Sequence, residues 1–199
     1  MLGYAVLEHP MRFYDDVLQM LALAGTRWDP TLSAAGGTQL LLRDEPERLE
    51  DAKFRAFVPE WCIGEGWARP IDTRSLRGDR VEHLASLRAA HRRGVKLEAG
   101  TDRGCFYGAS LLWELEHFVE AGLPPVEVLR IATQQAAEAV GAADDLGTLE
   151  PGKLADIVLL DANPLEDIRN TQTIWRVIKG GWVFDPEKLR PPESLSSNQ

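Results

Sequence analysis

The sequence predicts an α/β fold of strand–helix units followed by a smaller, all-β unit. Short apolar runs alternate with amphipathic segments of helical length. Prolines and glycines stand where those segments begin and end. After Gly141 the helical periodicity gives way to β-rich runs such as TIWRVIKGGWVF, with a Pro-Gly turn and a Gly-Gly dipeptide suited to a two-residue hairpin. Alternation of this kind points to parallel strands, in an open sheet or in a barrel.

The run GYAVLEH (3–9) suits a buried strand that ends at Glu8 and His9 before Pro10 breaks it. From Met11 to Ala24, Phe13, Val17, Leu18, Leu21 and Leu23 fall largely at helical spacing, and Gly25 supplies the stop. TRWDPTL (26–32) reads as a second strand. Gly36 and Gly37 open a connection to EPERLEDAKFRAF (45–57), a charged amphipathic helix with Pro46 in its first turn. The Trp-, Gly- and Pro-rich stretch 58–77 reads as a loop over one face.

Asp79 is a candidate N-cap for RVEHLASLRAAHRR, in which Val81, Leu84, Leu87 and His91 share a face and Gly94 marks the end. Val95, Leu97 and Ala99 then alternate as a third strand. Ser110 can cap LLWELEHFVEAG, while Pro124 and Pro125 start VEVLRIATQQAAEAVG, closed by Gly141. The expected division is 1–143 for the strand–helix part, 144–188 for the β unit and a frayed tail over 189–199.

With 199 residues, 44% of them hydrophobic, the chain can bury a substantial core. The net charge of −9 and the scattering of 22 basic among 31 acidic residues weigh against nucleic acid and anionic membrane as partners. No stretch approaches the roughly 20 apolar residues of a membrane span, and the chain reads as soluble, its compartment unspecified. Cys62 and Cys105 form neither a disulfide framework nor a zinc knuckle, since neither sits in a CxxC pair. Neither a GxGxxG, a P-loop nor a GxSxG pattern occurs.

In a parallel βα architecture the loops after the strand ends form the working face. Asp102 and His9 each end an apolar, strand-like run, which places a carboxylate and an imidazole on one rim if the strands share a sheet. Both are suitable ligands for a divalent metal such as zinc, and a carboxylate beside a metal-bound water can take its proton. The structural alternatives are a turn or cap for Asp102 and a backbone-satisfied side chain for His9. His83, His91 and His117 lie within amphipathic helices, as core-edge residues. Cys105 lacks a local base that would make it a nucleophile. Trp61, Trp67 and Trp113 could line a pocket, with Trp113, on a helix, the packing residue.

Three stretches resemble the metal-dependent amidohydrolase superfamily, in its imidazolonepropionase-like and prolidase-like branch. GVKLEAGTD resembles the eighth barrel strand ending in a metal-binding, proton-accepting Asp, here Asp102. ELEHFVEAGLPPVEVLRIATQQAAEAVG, running into LGTLEPGKLADIVLLDANPLEDIRNTQTIWRVIKGG, resembles the last barrel helices and the return into a β-sandwich. VLEHP, then a helix and DPTL, resembles strand six with its metal-ligand His, here His9, followed by strand seven. The resemblance spans residues 3–184, with 33–78 matching least.

It implies the C-terminal part of a (β/α)8 TIM-type barrel, about strands six to eight with their helices, plus a small β-sandwich segment. It also implies a hydrolase of C–N bonds in amides, peptides or cyclic amides, holding one or two divalent ions, usually zinc, with Asp102 as ligand and base and His9 at the second metal position. The family's HxH pair, its bridging Lys and its strand-five His have no counterpart, and Leu112 and Trp113 stand where relatives often place a His. The expectation is therefore a partial chain, inactive alone, that needs the N-terminal half of the barrel as partner. A small-molecule or short-peptide substrate follows, and a homo-oligomer is compatible. The contrasting expectations are a non-catalytic scaffold piece of the same fold and an open-sheet binding module.

Overall fold

A computed structural model describes residues 6–58, 73–102, 106 and 108–189. Trp61, Cys62, Trp67, Cys105 and the tail beyond Leu189, all singled out by sequence, lie outside the described residues.

Three short parallel strands pair in chain order: β1 (Val6–Glu8), β2 (Arg27–Asp29) and β3 (Lys96–Leu97). Their register aligns Leu7, Trp28 and Leu97 in one row across the sheet. This row faces the helices and enters the main core, where Trp28 and Leu97 are fully buried. The two-residue period of a strand sends Glu8, Asp29 and Glu98 to the opposite face.

α1 (Asp15–Ala24) inserts Leu18 into that core and ends at Gly25, left-handed at φ 68°. Phe13, just ahead of it, meets the Trp28 ring edge-on at 4.9 Å. After β2 the chain makes a wide π-type turn, Ser33–Gly37, and runs directly into α2 (Thr38–Asp44). The glycines thus start a helix that the sequence pattern did not signal. Gly36, at φ 90°, makes the kink; a Cβ at Gly37 would stand 2.5 Å from the Leu32 carbonyl oxygen, so only glycine passes.

The helix expected over 45–57 is broken in two, a 3₁₀ turn (Pro46–Glu50) and α3 (Ala52–Phe57). Asp51 causes the break: it is extended, and its carboxylate accepts from the Phe54 N–H at 2.8 Å. α4 (Thr73–Arg92) begins ahead of the expected cap, inside the stretch read as a loop. Asp79 therefore lies within the helix, where it accepts from Arg12 at 3.0 Å. Leu84, Leu87 and Ala90 form the packed face, whereas Val81 is exposed.

β3 is shorter than the expected 95–99 strand: the Glu98 N–H still reaches the Trp28 carbonyl at 3.0 Å, and the chain then leaves the ladder, with the Gly100 N–H bonding the Asp29 side chain instead. α5 (Ala109–Glu120) starts one residue before Ser110, whose hydroxyl donates to the Phe106 carbonyl at 2.8 Å rather than capping. Pro124 and Pro125 do open the next helical run: α6 (Pro125–Arg130), a π-type turn (Ile131–Gln135) and α7 (Ala136–Ala139), with Gly141 at φ 71° beyond it. A second apolar cluster joins Leu42, Phe54, Val58, Phe106 and Trp113, so Trp113 is packing material. Its three aromatic rings lie 5.6–5.7 Å apart, each contact contributing about 0.5–1.5 kcal/mol beyond area burial.

The second sheet is antiparallel: β4 (Ile157–Leu160), β5 (Ile174–Lys179) and β6 (Trp182–Phe184). Gly180 and Gly181, at φ 57° and 85°, form the hairpin that the dipeptide predicts. A 3₁₀ turn, Ile168–Gln172, docks this unit on α5. Ile168 enters the main core, and Gln172 donates to Glu116 at 2.7 Å. Arg48 grips the same carboxylate with two bonds of 2.8 and 2.7 Å.

Removing Arg48 leaves the buried Glu116 carboxylate with Gln172 and the more exposed Arg169, at 3.4 Å, in place of a two-bond fork, and a poorly compensated charge in low dielectric is costly. Arg48→Ala is expected to lower stability by about 3 kcal/mol in urea unfolding, with Arg48→Lys recovering only part because a single ammonium cannot replace the fork.

Candidate active site

The carboxyl ends of the three parallel strands each carry one residue in a left-handed conformation. His9 follows β1 at φ 72°, Thr31 follows β2 at φ 41°, and Asp102 closes the turn after β3 at φ 45°. Among the described residues these are the non-glycine positions with positive φ. Each costs on the order of 1 kcal/mol or more and persists only where its surroundings over-determine it. Strain therefore collects at one rim.

His9 Nδ1 lies 3.2 Å from Thr31 Oγ1 and 3.9 Å from the Asp102 carboxylate. The side chains of His9 and Asp102 are 60% and 63% exposed. The His9 carbonyl accepts from the indole of Trp28 at 2.9 Å, which ties the rim to the largest side chain of the core. The structure thus brings together the two residues singled out by sequence. No trio of His, Cys, Asp or Glu arranged to hold a metal occurs among the described residues.

Beneath the pair lie two carboxylates that sequence reasoning did not single out. One oxygen of Asp29 accepts from the Thr31 N–H at 3.2 Å and from the Gly100 N–H at 2.9 Å, linking the turns after β2 and β3. Burial pushes the Asp29 carboxyl up, opposed by these two bonds and by His9. A Cβ at position 100 would fall 1.9 Å from the other Asp29 oxygen, so Gly100 is required for the contact. Glu114, fully buried on α5, accepts from the N–H groups of Leu32 and Ser33 at 2.8 and 2.7 Å. Burial pushes its carboxyl up to about 7, against the lowering effect of the Ser33 hydroxyl and of those two amide bonds. Glu98 is also raised by burial, opposed by Arg27 at 3.7 Å.

The signal for Glu114 lay in helix spacing: Ser110, Glu114 and Phe118 share one row of α5 with Ala121, and all are buried. Nothing local marks Asp29, whose role depends on pairing with a turn seventy-one residues away.

The remaining histidines stay apart from the rim. His117, expected at a core edge, is fully buried; Arg80 donates to its Nδ1 at 3.0 Å, and burial pushes the imidazole down. Burial alone would raise the Glu120 carboxyl, but the His117 ring and the bonded Arg80 guanidinium beside it outweigh burial and bring it down to about 2. His83 is lowered by partial burial. A cavity of about 700 Å³ lies on this side, away from the strand ends, with Leu40, Leu84, Val119 and Ile168 beneath a rim of ion pairs.

A parallel α/β sheet whose strand ends present an imidazole and a carboxylate over buried carboxylate supports defines an enzyme-like rim of the βα type. The chain belongs to the amidohydrolase family, whose signature it matches over residues 49–183. That match contains Asp102 and begins after His9. It is 34% identical to the ochratoxinase of Aspergillus niger over 143 residues, 69% of this chain and 28% of that protein. It is 35% identical to the imidazolonepropionase of Shouchella clausii over 98 residues, 47% of this chain and 22% of that one.

Among solved structures, a Xaa-Pro dipeptidase with methionine in its active site superposes with a TM-score of 0.68 at 26% identity, over 92% of this chain and 40% of that one. The A. niger ochratoxinase structure gives 0.66 at 27% identity, over 92% and 37%. The chain spans less than half the length of each of these relatives. No helix among the described residues is long and apolar enough to cross a membrane.

Two outcomes follow from the supports. Gly100→Ala forces Asp29 and the β3 turn apart and is expected to cost about 2 kcal/mol or more, read by thermal unfolding, with displaced Thr31 and Asp102 amide resonances. For Glu114 the folded carboxyl is raised above its ordinary 4.5 to about 7, so its contribution is complete below about 4.5 and is lost as pH rises through 7. Urea unfolding at pH 5 and pH 8 should show a loss of about 3 kcal/mol from this group, and Glu114→Gln should abolish that part of the slope.

Proposed function

We propose that this chain forms strands six, seven and eight of a (β/α)8 barrel, with residues 144–188 as part of a β-sandwich, and that it carries part of the active site of a metal-dependent hydrolase of C–N bonds. The carrying observation is the meeting of His9 and Asp102 at 3.9 Å on a rim where, among the described residues, the left-handed non-glycine positions are gathered.

The donors fit a divalent cation, zinc foremost. In the tautomer whose Nδ1–H donates to Thr31 Oγ1, the unshared pair of His9 sits on Nε2, and the accessible Asp102 carboxylate adds an anionic oxygen. Two donors are fewer than a four-coordinate site needs, so the other ligands belong to further strands of the barrel. When bound, such a cation supplies Lewis acidity that polarises a scissile carbonyl and acidifies water. Asp102 then accepts the proton of the attacking water and passes it to the leaving nitrogen. Thr31 fixes the ring of His9, while Asp29 and Gly100 hold the turn that presents Asp102. Amide, peptide and cyclic amide substrates all offer the required C–N bond, in keeping with relatives named as an ochratoxinase, an imidazolonepropionase and a Xaa-Pro dipeptidase.

The test is a zinc titration of the chain followed through its histidine ring nitrogens by NMR. His9 should respond before His83 and His91, and His9→Ala and Asp102→Asn should each weaken that response about tenfold or more. A His9 ring unmoved at saturating zinc overturns the ligand assignment and leaves a non-catalytic piece of the fold. In the complete barrel, Asp102→Asn is expected to lower kcat by about 10²- to 10⁴-fold in steady-state hydrolysis, with a small effect on KM.

A further inference from the structure

Three consecutive backbone N–H groups after β2 are all taken by carboxylates. Thr31 N–H goes to Asp29 at 3.2 Å, and those of Leu32 and Ser33 go to the two oxygens of Glu114 at 2.8 and 2.7 Å. The backbone explains why they converge. Thr31 is left-handed at φ 41°, and Leu32 is right-handed at φ −60°, ψ −30°. Alternating hands in successive residues curl the N–H groups inward into an anion-binding concavity. Here the anion is a side chain of the same protein, delivered across eighty-two residues of sequence by α5.

Glu114 touches no residue of the exposed pair, so its place under this turn has another purpose. The residue at the mouth of the concavity is Thr31, and its hydroxyl lies 3.2 Å from His9 Nδ1. We infer that Glu114 is a positioning residue for the metal-ligand histidine: its carboxylate fills the concavity, fixes the left-handed Thr31, and thereby sets which nitrogen of His9 carries the proton. The path is Glu114 to the Leu32 and Ser33 amides, to Thr31, to the imidazole. The zinc arm of the test below rests on His9 being a ligand; the metal-free arm does not.

The measurement is made at pH 8 on the metal-free chain, reading the ring-nitrogen correlations of His9. In the wild type the Nδ1–H form is expected to dominate. Glu114→Gln replaces one accepting oxygen by an amide NH₂ that cannot accept, and it should lower the share of that form at least twofold. Thr31→Val, which leaves Glu114 and the concavity in place, should produce the same change, and the double variant no more than either single one. Zinc affinity at His9 should fall about tenfold in each single variant, without further loss in the double.

Val128→Ala, a core truncation on α6 remote from the turn, should lower stability and leave the His9 signals as they are. Should Glu114→Gln fail to fold, Glu114→Asp, which keeps the charge but withdraws it by one methylene, is read in its place with the same expectation. An unchanged His9 proton distribution in the Glu114 variant, or effects of the Glu114 and Thr31 variants that add, overturns the inference. A wild-type His9 that ignores zinc instead overturns the ligand assignment, and the metal-free comparison still decides the role of Glu114.

Discussion

The rim depends on hydrogen bonds from backbone amides to buried carboxylates. The N–H groups of Thr31, Leu32, Ser33 and Gly100 are satisfied by Asp29 and Glu114 rather than by water. A hydrogen bond to a charged acceptor contributes about 1.5–3 kcal/mol, whereas an unpaired carboxylate in the interior costs several. Each support is therefore stable only with its full set of donors. The turns after β2 and β3 are correspondingly confined to the geometry that supplies them. Left-handed Thr31 and Asp102 follow from that confinement, and neither would persist in a turn free to relax.

α5 is the element through which this constraint reaches the rest of the molecule. Within one turn it sends three polar side chains in different directions. Glu114 reaches the β2 turn, Glu116 reaches Arg48 and Gln172, and His117 reaches Arg80. Beside them, Leu115 and Phe118 enter the main core. The parallel sheet, the 3₁₀ segment after α2 and the antiparallel sheet are thus registered against a single helix. Apolar burial supplies the bulk of the stability, and the carboxylates set where each neighbour sits along the helix.

Features set by local chemistry were legible in the sequence. Gly25, Gly94 and Gly141 end helices because each takes a left-handed φ that other residues resist; Gly180–Gly181 turns a hairpin for the same reason. The placement of His9 and Asp102 on one rim was legible because strand-end positions follow from apolar runs. Asp79 and Ser110 misled, since both are good capping residues in isolation, yet other partners claimed their side chains: the distant Arg12 for Asp79 and the Phe106 carbonyl, four residues back, for Ser110. α2 was hidden behind Gly36 and Gly37, which read as breakers, although here they admit the chain past Leu32 and His117. Helix spacing could mark Glu114 as buried, but neither its partners nor those of Asp29 were legible, because those partners are backbone amides, which carry no residue identity for a pattern to register.

The division between exposed donors and buried supports has a physical logic. A ligand pair buried before a cation arrives would bear the desolvation cost of an unpaired carboxylate, and its proton affinity would rise until it competed with the metal. In the proposed site, His9 and Asp102 avoid this by remaining well exposed. Exposure alone would leave them free to sample many rotamers, and that entropy would be lost on binding. Seating them on a rim whose backbone is already strained and pinned removes much of that loss in advance, at a cost of about 1 kcal/mol for each left-handed residue. The desolvation cost falls instead on Asp29 and Glu114, which bind nothing that comes and goes and can therefore keep their hydrogen-bond partners permanently.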